Sequence, residues 1–273
     1  MKTSQLWQRT LSTVVLSLVA VSVFAQAPAT TDFQPSVGQP GKDVVWVPTP
    51  QALVDRMLDM AKLTPQDYLI DLGSGDGRTV ITAAKRGARA LGIEYNPDMV
   101  ALSQKNAVAE GATARATFTK ADLFETDLSQ ATVITMFLLP DINLKLRPKI
   151  LDLKPGTRIV SNTFTMAEWS PDETSTVEGD CSAWCTALFW LVPAKVEGAW
   201  QLPQGTLNLR QNFQVITGTM ASGSGSAAAI TGATLRGDQI SFTAGGVQYT
   251  GRVNGNVMQG TTSAGANWRA TKS

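Results

Sequence analysis

Between Leu69 and Arg78 the chain reads Leu-Ile-Asp-Leu-Gly-Ser-Gly-Asp-Gly-Arg. An apolar strand runs into a turn with glycine at every second position, and a helix follows. Glycine lets the backbone pass close beneath a ligand where a Cβ would collide. The first N–H groups of the next helix have no partners within it and face a polar ligand. Glu94 closes the following strand about 20 residues on, the spacing of an acid that takes up ribose hydroxyls. These residues describe a nucleoside-cofactor site. Arg78 stands where a dinucleotide fingerprint requires its third glycine, which disfavours a nicotinamide oxidoreductase.

Composition removes several other chemistries. The 273 residues include no histidine, which excludes Ser-His-Asp and Cys-His catalytic units, a histidine proton shuttle and any histidine-ligated metal. A structural zinc would find only Cys181, Cys185 and carboxylates, so no metal is expected. Those two cysteines fall in an expected loop, where a short-loop disulfide and two free thiols both fit. With 23 basic and 22 acidic residues, the net charge of +1 offers no basic excess for a nucleic acid.

Alternating elements must position the glycine loop. Thr49-Pro50 reads as an N-cap followed by proline, opening a helix whose apolar face is Leu53, Val54, Met57, Leu58 and Ala61. Strand 68–72, helix 78–86 and strand 89–94 follow, and Asn96-Pro97 opens another helix that ends near Gly111. Strands are then expected over 115–119, 131–138 and 157–162, with a helix over 142–153. The last strand, 187–192, pairs antiparallel with 175–178. Repeated β-α units imply an α/β fold, a mostly parallel sheet covered by helices on both faces.

Near Pro193 the pattern changes. From Val196 onward lie 13 of the 23 glycines and eight short alternating runs separated by turns such as Arg236-Gly237-Asp238. They suggest a small antiparallel β-barrel or sandwich. The Gly/Ser/Ala tract 221–229 reads either as disorder or as the bend of a long hairpin. The expected organisation is a signal segment 1–27, a linker 28–43, an α/β domain 44–194 and a β-rich domain 195–273.

The run Asp71–Gly77 resembles motif I of class I S-adenosylmethionine-dependent methyltransferases. Gly92-Ile93-Glu94 is similar to their acidic post-I motif, Ala121-Asp122-Leu123-Phe124 to the adenine-contacting turn, and 131–140 to the motif IV strand end. Leu153-Lys154-Pro155-Gly156 resembles the turn before strand five. The likeness covers roughly residues 44–193. With Val47-Pro48-Thr49-Pro50 and Glu94-Tyr95-Asn96-Pro97, it narrows to the small seven-strand protein-lysine methyltransferases, whose members modify the ADP/ATP carrier and the ring-forming proteolipid of ATP synthase. It implies a Rossmann-like seven-stranded sheet and S-adenosyl-L-methionine as cofactor. Gly73, Ser74, Gly75 and Gly77 would form the loop beneath the methionine and ribose, and Asp71 would orient that loop or meet the ammonium. Glu94 would accept from the ribose hydroxyls, with Tyr95 beside it. Asp122 would accept from the adenine amino group, and Leu123 would pack on the ring. The acceptor implied is a protein lysine.

Near the methyl group, the acceptor-side candidates are Thr49, Tyr95 and Asn162, with the wall 137–140. Packing or capping accounts for each of them equally well, and for Thr49 helix capping alone suffices. Trp46, Trp169 and Trp184 could line an acceptor groove, whereas Trp190 reads as core. Lys2 and Arg9, the apolar stretch 11–24 and Ala25-Gln26-Ala27 read as a secretory signal. Its loss takes the charge from +1 to −1, because it removes two basic and no acidic residues. An exported protein is therefore expected, bound to membrane only through an uncleaved signal and with its oligomeric state open. Export stands in tension with a cofactor made in the cytoplasm. The rival reading is an exported nucleoside-binding protein without turnover, its β-domain a docking module.

Overall fold

The computed structural model describes residues 33–179, 181–223 and 226–273. The signal segment and the start of the expected linker lie outside them. Helix α1 (Gln51–Met60) is followed by β1 (Tyr68–Leu72), α2 (Arg78–Lys85), β2 (Arg89–Glu94), α3 (Pro97–Ala109) and β3 (Ala116–Lys120). Then come β4 (Val133–Met136), α4 (Pro140–Leu151), β5 (Arg158–Asn162), β6 (Glu173–Thr176) and β7 (Thr186–Leu191). The seven strands form one sheet in the order β3-β2-β1-β4-β5-β7-β6, with β7 antiparallel to both its neighbours and the rest parallel.

Each β-α unit buries an apolar stripe on the sheet. Leu53, Val54, Met57 and Leu58 of α1 join Val80 and Ala83 of α2 and Val100 of α3 in one core. On the other face Ile142, Leu146 and Ile150 of α4 pack with Ile70, Ile134 and Ile159. A doubly wound sheet of this kind leaves a crevice at the carboxyl ends of its strands, where the order reverses between β1 and β4. Asn96 caps α3 by accepting from the Asp98 N–H at 2.9 Å. Thr49 does not cap α1. The residue before that helix is Pro50, no side chain caps it, and the Thr49 hydroxyl is turned to another partner.

Strands β8 (Gly198–Leu202), β9 (Gly205–Asn212), β10 (Val215–Ser222), β11 (Ala228–Ala229) and β12 (Thr231–Arg236) open the C-terminal part. They are followed by β13 (Gln239–Ala244), β14 (Val247–Asn254), β15 (Val257–Thr262) and β16 (Asn267–Lys272). They form one antiparallel sheet in the order β11-β10-β9-β8-β16-β15-β14-β13-β12, curled until β12 approaches β10. The architecture is therefore a nearly closed barrel, not a two-sheet sandwich. The single run expected over 228–235 splits at Ile230 into β11 and β12, and β11 pairs back on β10. The interior is filled by side chains including Trp200, Phe242, Met258 and Trp268, so the barrel is a packed core and not a ligand cup.

The barrel is fastened to the α/β sheet by specific contacts. Phe213, between β9 and β10, stacks on Trp169 at 5.9 Å, and the Arg147 guanidinium lies over the Phe213 ring. Gln214 donates to the Ser170 carbonyl at 2.8 Å, and the Ala194 N–H donates to the Gly237 carbonyl at 2.9 Å. Lys195 pairs with Asp152. Trp169 and Trp190 are both fully buried, so neither belongs to a groove.

Candidate active site

A cavity of about 520 Å³ opens at the crevice, within the size range of small-molecule sites. Its floor is the glycine loop. Gly75 has φ +53°, and a Cβ added there would come within 2.7 Å of the Trp46 indole nitrogen. A side chain at this position would thus be strained and would also push away the segment above it. Gly77 differs from its neighbours in the loop. It does not line the cavity, and a Cβ there would strike Ser103 and Phe118 at 2.7 and 2.8 Å. Its role is to let α2 begin close against α3 and β3, which corrects the expectation that it lies beneath the ligand.

Glu94 fixes the loop from the end of β2. Its carboxylate accepts from the Gly75 N–H at 3.0 Å and from the Asn96 N–H at 2.9 Å. An ionised carboxylate has about four acceptor sites, so two backbone bonds leave capacity for further donors from the cavity. Gly73 and Ser74 both donate their N–H groups to the Ile93 carbonyl. The Ser74 hydroxyl is buried without a partner among the described residues, and a Cβ on Gly92 would sit 2.5 Å from it. Gly73 and Ser74 both line the cavity.

Asp71, next to last in β1, lies in the cavity wall and is buried. Thr135 of β4 donates its hydroxyl to Asp71 Oδ1 at 2.6 Å. Burial pushes the Asp71 carboxyl up to about 7, the Thr135 bond opposes this, and the negative charges of Asp76 and Glu94 add to it. A cation entering the cavity would supply the missing counter-charge. Asp122 lies past the end of β3. Its Oδ2 pairs with Lys42 and its Oδ1 accepts from the Phe124 N–H at 2.8 Å. The Lys42 ammonium holds Asp122 below the usual carboxylate range, helped by the Phe124 N–H. Leu123 lines the cavity beside it.

Lys42 comes from the segment expected to be a linker. Residues 38–46 instead form a short hairpin, with the Gly38 N–H donating to the Trp46 carbonyl and the Trp46 N–H to the Gln39 carbonyl. A bridge joins Pro40 and Val45. The hairpin lines the cavity, and Lys42 lies 4.6 Å from the centre of the Tyr95 ring. Nothing in the Pro- and Gly-rich composition of this stretch signalled its fold. Lys42 and Asp122 are 80 residues apart.

The three acceptor-side candidates do not gather at one point. Tyr95 follows β2 and stands with Lys42 on the β1–β3 side. Thr49 and Asn162 meet on the other, where the Asn162 amide donates to the Thr49 hydroxyl at 3.3 Å. Asn162 is buried and does not line the cavity, so it stands behind Thr49. The cavity here is walled by Met136, Phe137, Leu138, Ile142 and Phe164, with Trp184 at its edge. Trp184 is carried between Cys181 and Cys185, which form a disulfide. The sequence left this pairing open.

Asp71, Glu94 and Asp122, spread along the cavity opposite its apolar side, suit a ligand that is cationic at one end, hydroxylated at its centre and aminated at the other. S-adenosylmethionine has that arrangement. Residues 71–173 match the family model of the ANTKMT methyltransferase domain. A protein-lysine N-methyltransferase of Saccharolobus islandicus is 46% identical over 138 residues, covering 50% of this chain and 86% of that protein. The adenine nucleotide translocase lysine N-methyltransferase of Mus musculus is 34% identical over 120 residues, 43% of this chain and 52% of that protein. Among solved structures, an RNA methyltransferase from Salinibacter ruber in complex with S-adenosyl-L-homocysteine is similar, with a TM-score of 0.52 and 47% identity. That match covers 55% of this chain and 96% of the Salinibacter chain. With 86% of the Saccharolobus protein matched at 46% identity, the chain belongs to that family of S-adenosylmethionine-dependent methyltransferases.

Proposed function

We propose that this chain transfers the methyl group of S-adenosylmethionine to the side-chain amine of protein lysines. The observation that carries the reading is the rim of the cleft. Of the seven large apolar side chains exposed among the described residues, four border this one cavity: Val45, Tyr95, Leu139 and Trp184. Apolar groups gathered at one opening mark a surface that another macromolecule covers. RNA draws most of its affinity from phosphate contacts to lysine and arginine, and 23 basic residues against 22 acidic ones provide no surplus. The lysine methyltransferase names of the Saccharolobus and mouse relatives support the same choice.

When bound, S-adenosylmethionine supplies a methyl group on a cationic sulfur, which an amine lone pair displaces in line while the sulfur keeps the bonding pair. Glu94 would hold the ribose hydroxyls with the lone pairs its backbone donors leave free. Asp71 would face the positive end of the cofactor in its ionised form. Asp122 would meet the adenine amino group, sharing its charge with Lys42. The walls around Phe137, Leu138 and Phe164 exclude water from the acceptor side, which favours the neutral amine. The Thr49 hydroxyl, fixed by Asn162, can accept a hydrogen bond from that amine or donate one.

Export remains part of this reading, supported by the signal-like N-terminus and by a disulfide of the kind that persists in oxidising compartments. Amino-terminal sequencing of the chain isolated from its source tests it, since an intact Met1 on protein from the cytoplasm rejects export. For the activity, labelled S-adenosylmethionine is supplied with poly-L-lysine, with a lysine-rich protein and with total RNA. Label in lysine is the expected result. Label in RNA alone sinks the proposal, and tight cofactor binding with label nowhere indicates a nucleoside-binding protein instead.

A further inference from the structure

Three aromatic rings meet at the mouth of the cavity, and no motif in the sequence linked them. Phe137 follows β4, Phe164 lies just past β5 and Trp184 precedes β7, so three neighbouring strand ends deliver them to one place. The ring centroids are 5.9 Å apart for Phe137 and Phe164, 5.9 Å for Phe137 and Trp184, and 5.4 Å for Phe164 and Trp184. All three line the cavity. Rings recruited for stability alone are normally buried, as Trp169, Trp190 and Trp200 are here. Trp184 remains 44% exposed.

Its backbone is held in an uncommon state. Trp184 has φ +57°, a conformation that costs a bulky residue energy and persists only when its surroundings enforce it. Two constraints act here. The Cys181–Cys185 disulfide closes the loop around Trp184, and β7 begins directly afterwards, anchored by the Val177 N–H donating to the Cys185 carbonyl at 2.9 Å. A loop with no role beyond joining β6 to β7 would not need a crosslinked, half-exposed tryptophan aimed at the cavity.

We propose that Trp184, presented by the Cys181–Cys185 loop, completes with Phe137 and Phe164 an aromatic gate that selects an alkylammonium side chain. The proposal rests on the lysine reading above and adds the group that recognises the acceptor. Aromatic faces attract ammonium groups, and alkylated ones lose less hydration on contact. The same surface packs on the four-carbon stem of lysine. A lysine and its methylated products would therefore pass along one surface, while the cofactor is held by the carboxylates of the opposite half. Trp184 is a specificity residue in this scheme, and the disulfide positions it.

The experiment compares the full chain with Trp184→Ala, Trp184→Phe and the double variant Cys181→Ser/Cys185→Ser. Two quantities are read by calorimetry: the affinity for S-adenosylhomocysteine, and the affinity of its complex for butyltrimethylammonium, the side-chain analogue of trimethyl-lysine. KM for poly-L-lysine is read from initial rates of methyl transfer. Trp184→Ala is expected to weaken butyltrimethylammonium and raise that KM on the order of tenfold, with S-adenosylhomocysteine affinity within about twofold. Trp184→Phe should recover most of the loss, and the double cysteine variant should move both acceptor quantities in the direction of Trp184→Ala. Acceptor values within about twofold of the parent in either Trp184→Ala or the cysteine variant overturn the gate. So does an equal loss of S-adenosylhomocysteine affinity, which would mark general damage. If poly-L-lysine is not methylated at all, the lysine reading fails, and butyltrimethylammonium binding alone still decides the gate.

Discussion

The two sides of the cleft are made from different materials. On the β1–β3 side the contacts are backbone amides and carboxylates: the Gly75 and Asn96 N–H groups on Glu94, Thr135 on Asp71, and Lys42 on Asp122. Across β4, β5 and β7 the wall is largely aromatic and aliphatic, with the Thr49 hydroxyl, held from behind by Asn162, among its few polar groups. Polar groups fixed in advance hold a cofactor with defined donors at defined places. An apolar wall has no such directionality. It removes water and leaves the partner's identity to the shape and surface chemistry at the mouth. One side can be read by its hydrogen bonds, the other only by what it excludes.

Variants on the two sides should accordingly separate into different measurements. The largest effect is expected from Glu94→Ala, which removes the acceptor of two backbone donors as well as the proposed ribose contact. Affinity for S-adenosylhomocysteine should fall about a hundredfold or more, as loss of two charge-assisted bonds implies. A loss under about tenfold in calorimetry would mean that Glu94 serves the loop and not the ligand.

Asp71→Asn keeps the shape and removes the charge. Affinity should drop roughly tenfold near pH 8, and its pH dependence should flatten. In the parent chain the Asp71 carboxyl, raised to about 7 chiefly by burial, becomes ionised as pH rises through that value. Binding of a ligand that sets an ammonium beside Asp71, as S-adenosylhomocysteine would, should therefore strengthen between about pH 6 and 8. Stability without ligand moves the other way. The folded chain holds this proton more tightly than the unfolded one, so stability falls as pH rises from the ordinary carboxylate range to about 7. Melting curves at several pH values, with and without S-adenosylhomocysteine, check both slopes.

On the acceptor side, Thr49→Val leaves the buried Asn162 amide without its acceptor and removes the hydroxyl from the wall. Methyl transfer to poly-L-lysine should slow about tenfold at saturating cofactor, with S-adenosylhomocysteine affinity within about twofold. A parallel loss in both would erase the boundary between the two halves. Lys42→Ala should do least. Its pair with Asp122 is solvent-exposed, and such pairs contribute little. Cofactor affinity is expected to change by less than about threefold, and that small change should vanish at high salt.

The same contrast explains what was legible in the sequence. Asp71, Glu94 and Asp122 follow one another through successive β-α units: Glu94 stands out by its spacing from the glycine loop, and Asp71 and Asp122 by the resemblance of their motifs to class I methyltransferases. The seven-stranded sheet was legible for a local reason, since each unit carries its own apolar stripe. Where one signal serves two purposes, the reading went astray. Gly77 continues the alternation of Gly73 and Gly75 yet serves helix packing. Thr49 has the residue type and place of an N-cap, yet its hydroxyl meets Asn162, which lies 113 positions away. Lys42 carried no local signal, and Trp184 was only one of several tryptophans that could line a groove, because a Pro- and Gly-rich stretch and a short cysteine loop acquire meaning only from what the sheet places beneath them.

Trp169, stacked on Phe213, couples the barrel to the sheet in a way that reaches beyond docking. Its indole belongs to the core beneath α4 and is fully buried with Phe213 stacked against it. Shortening the chain before the barrel would take Phe213 away from that ring. The barrel thus packs directly on the core of the α/β part. Heating should melt both together in one cooperative transition, and the α/β portion alone should be prone to self-association.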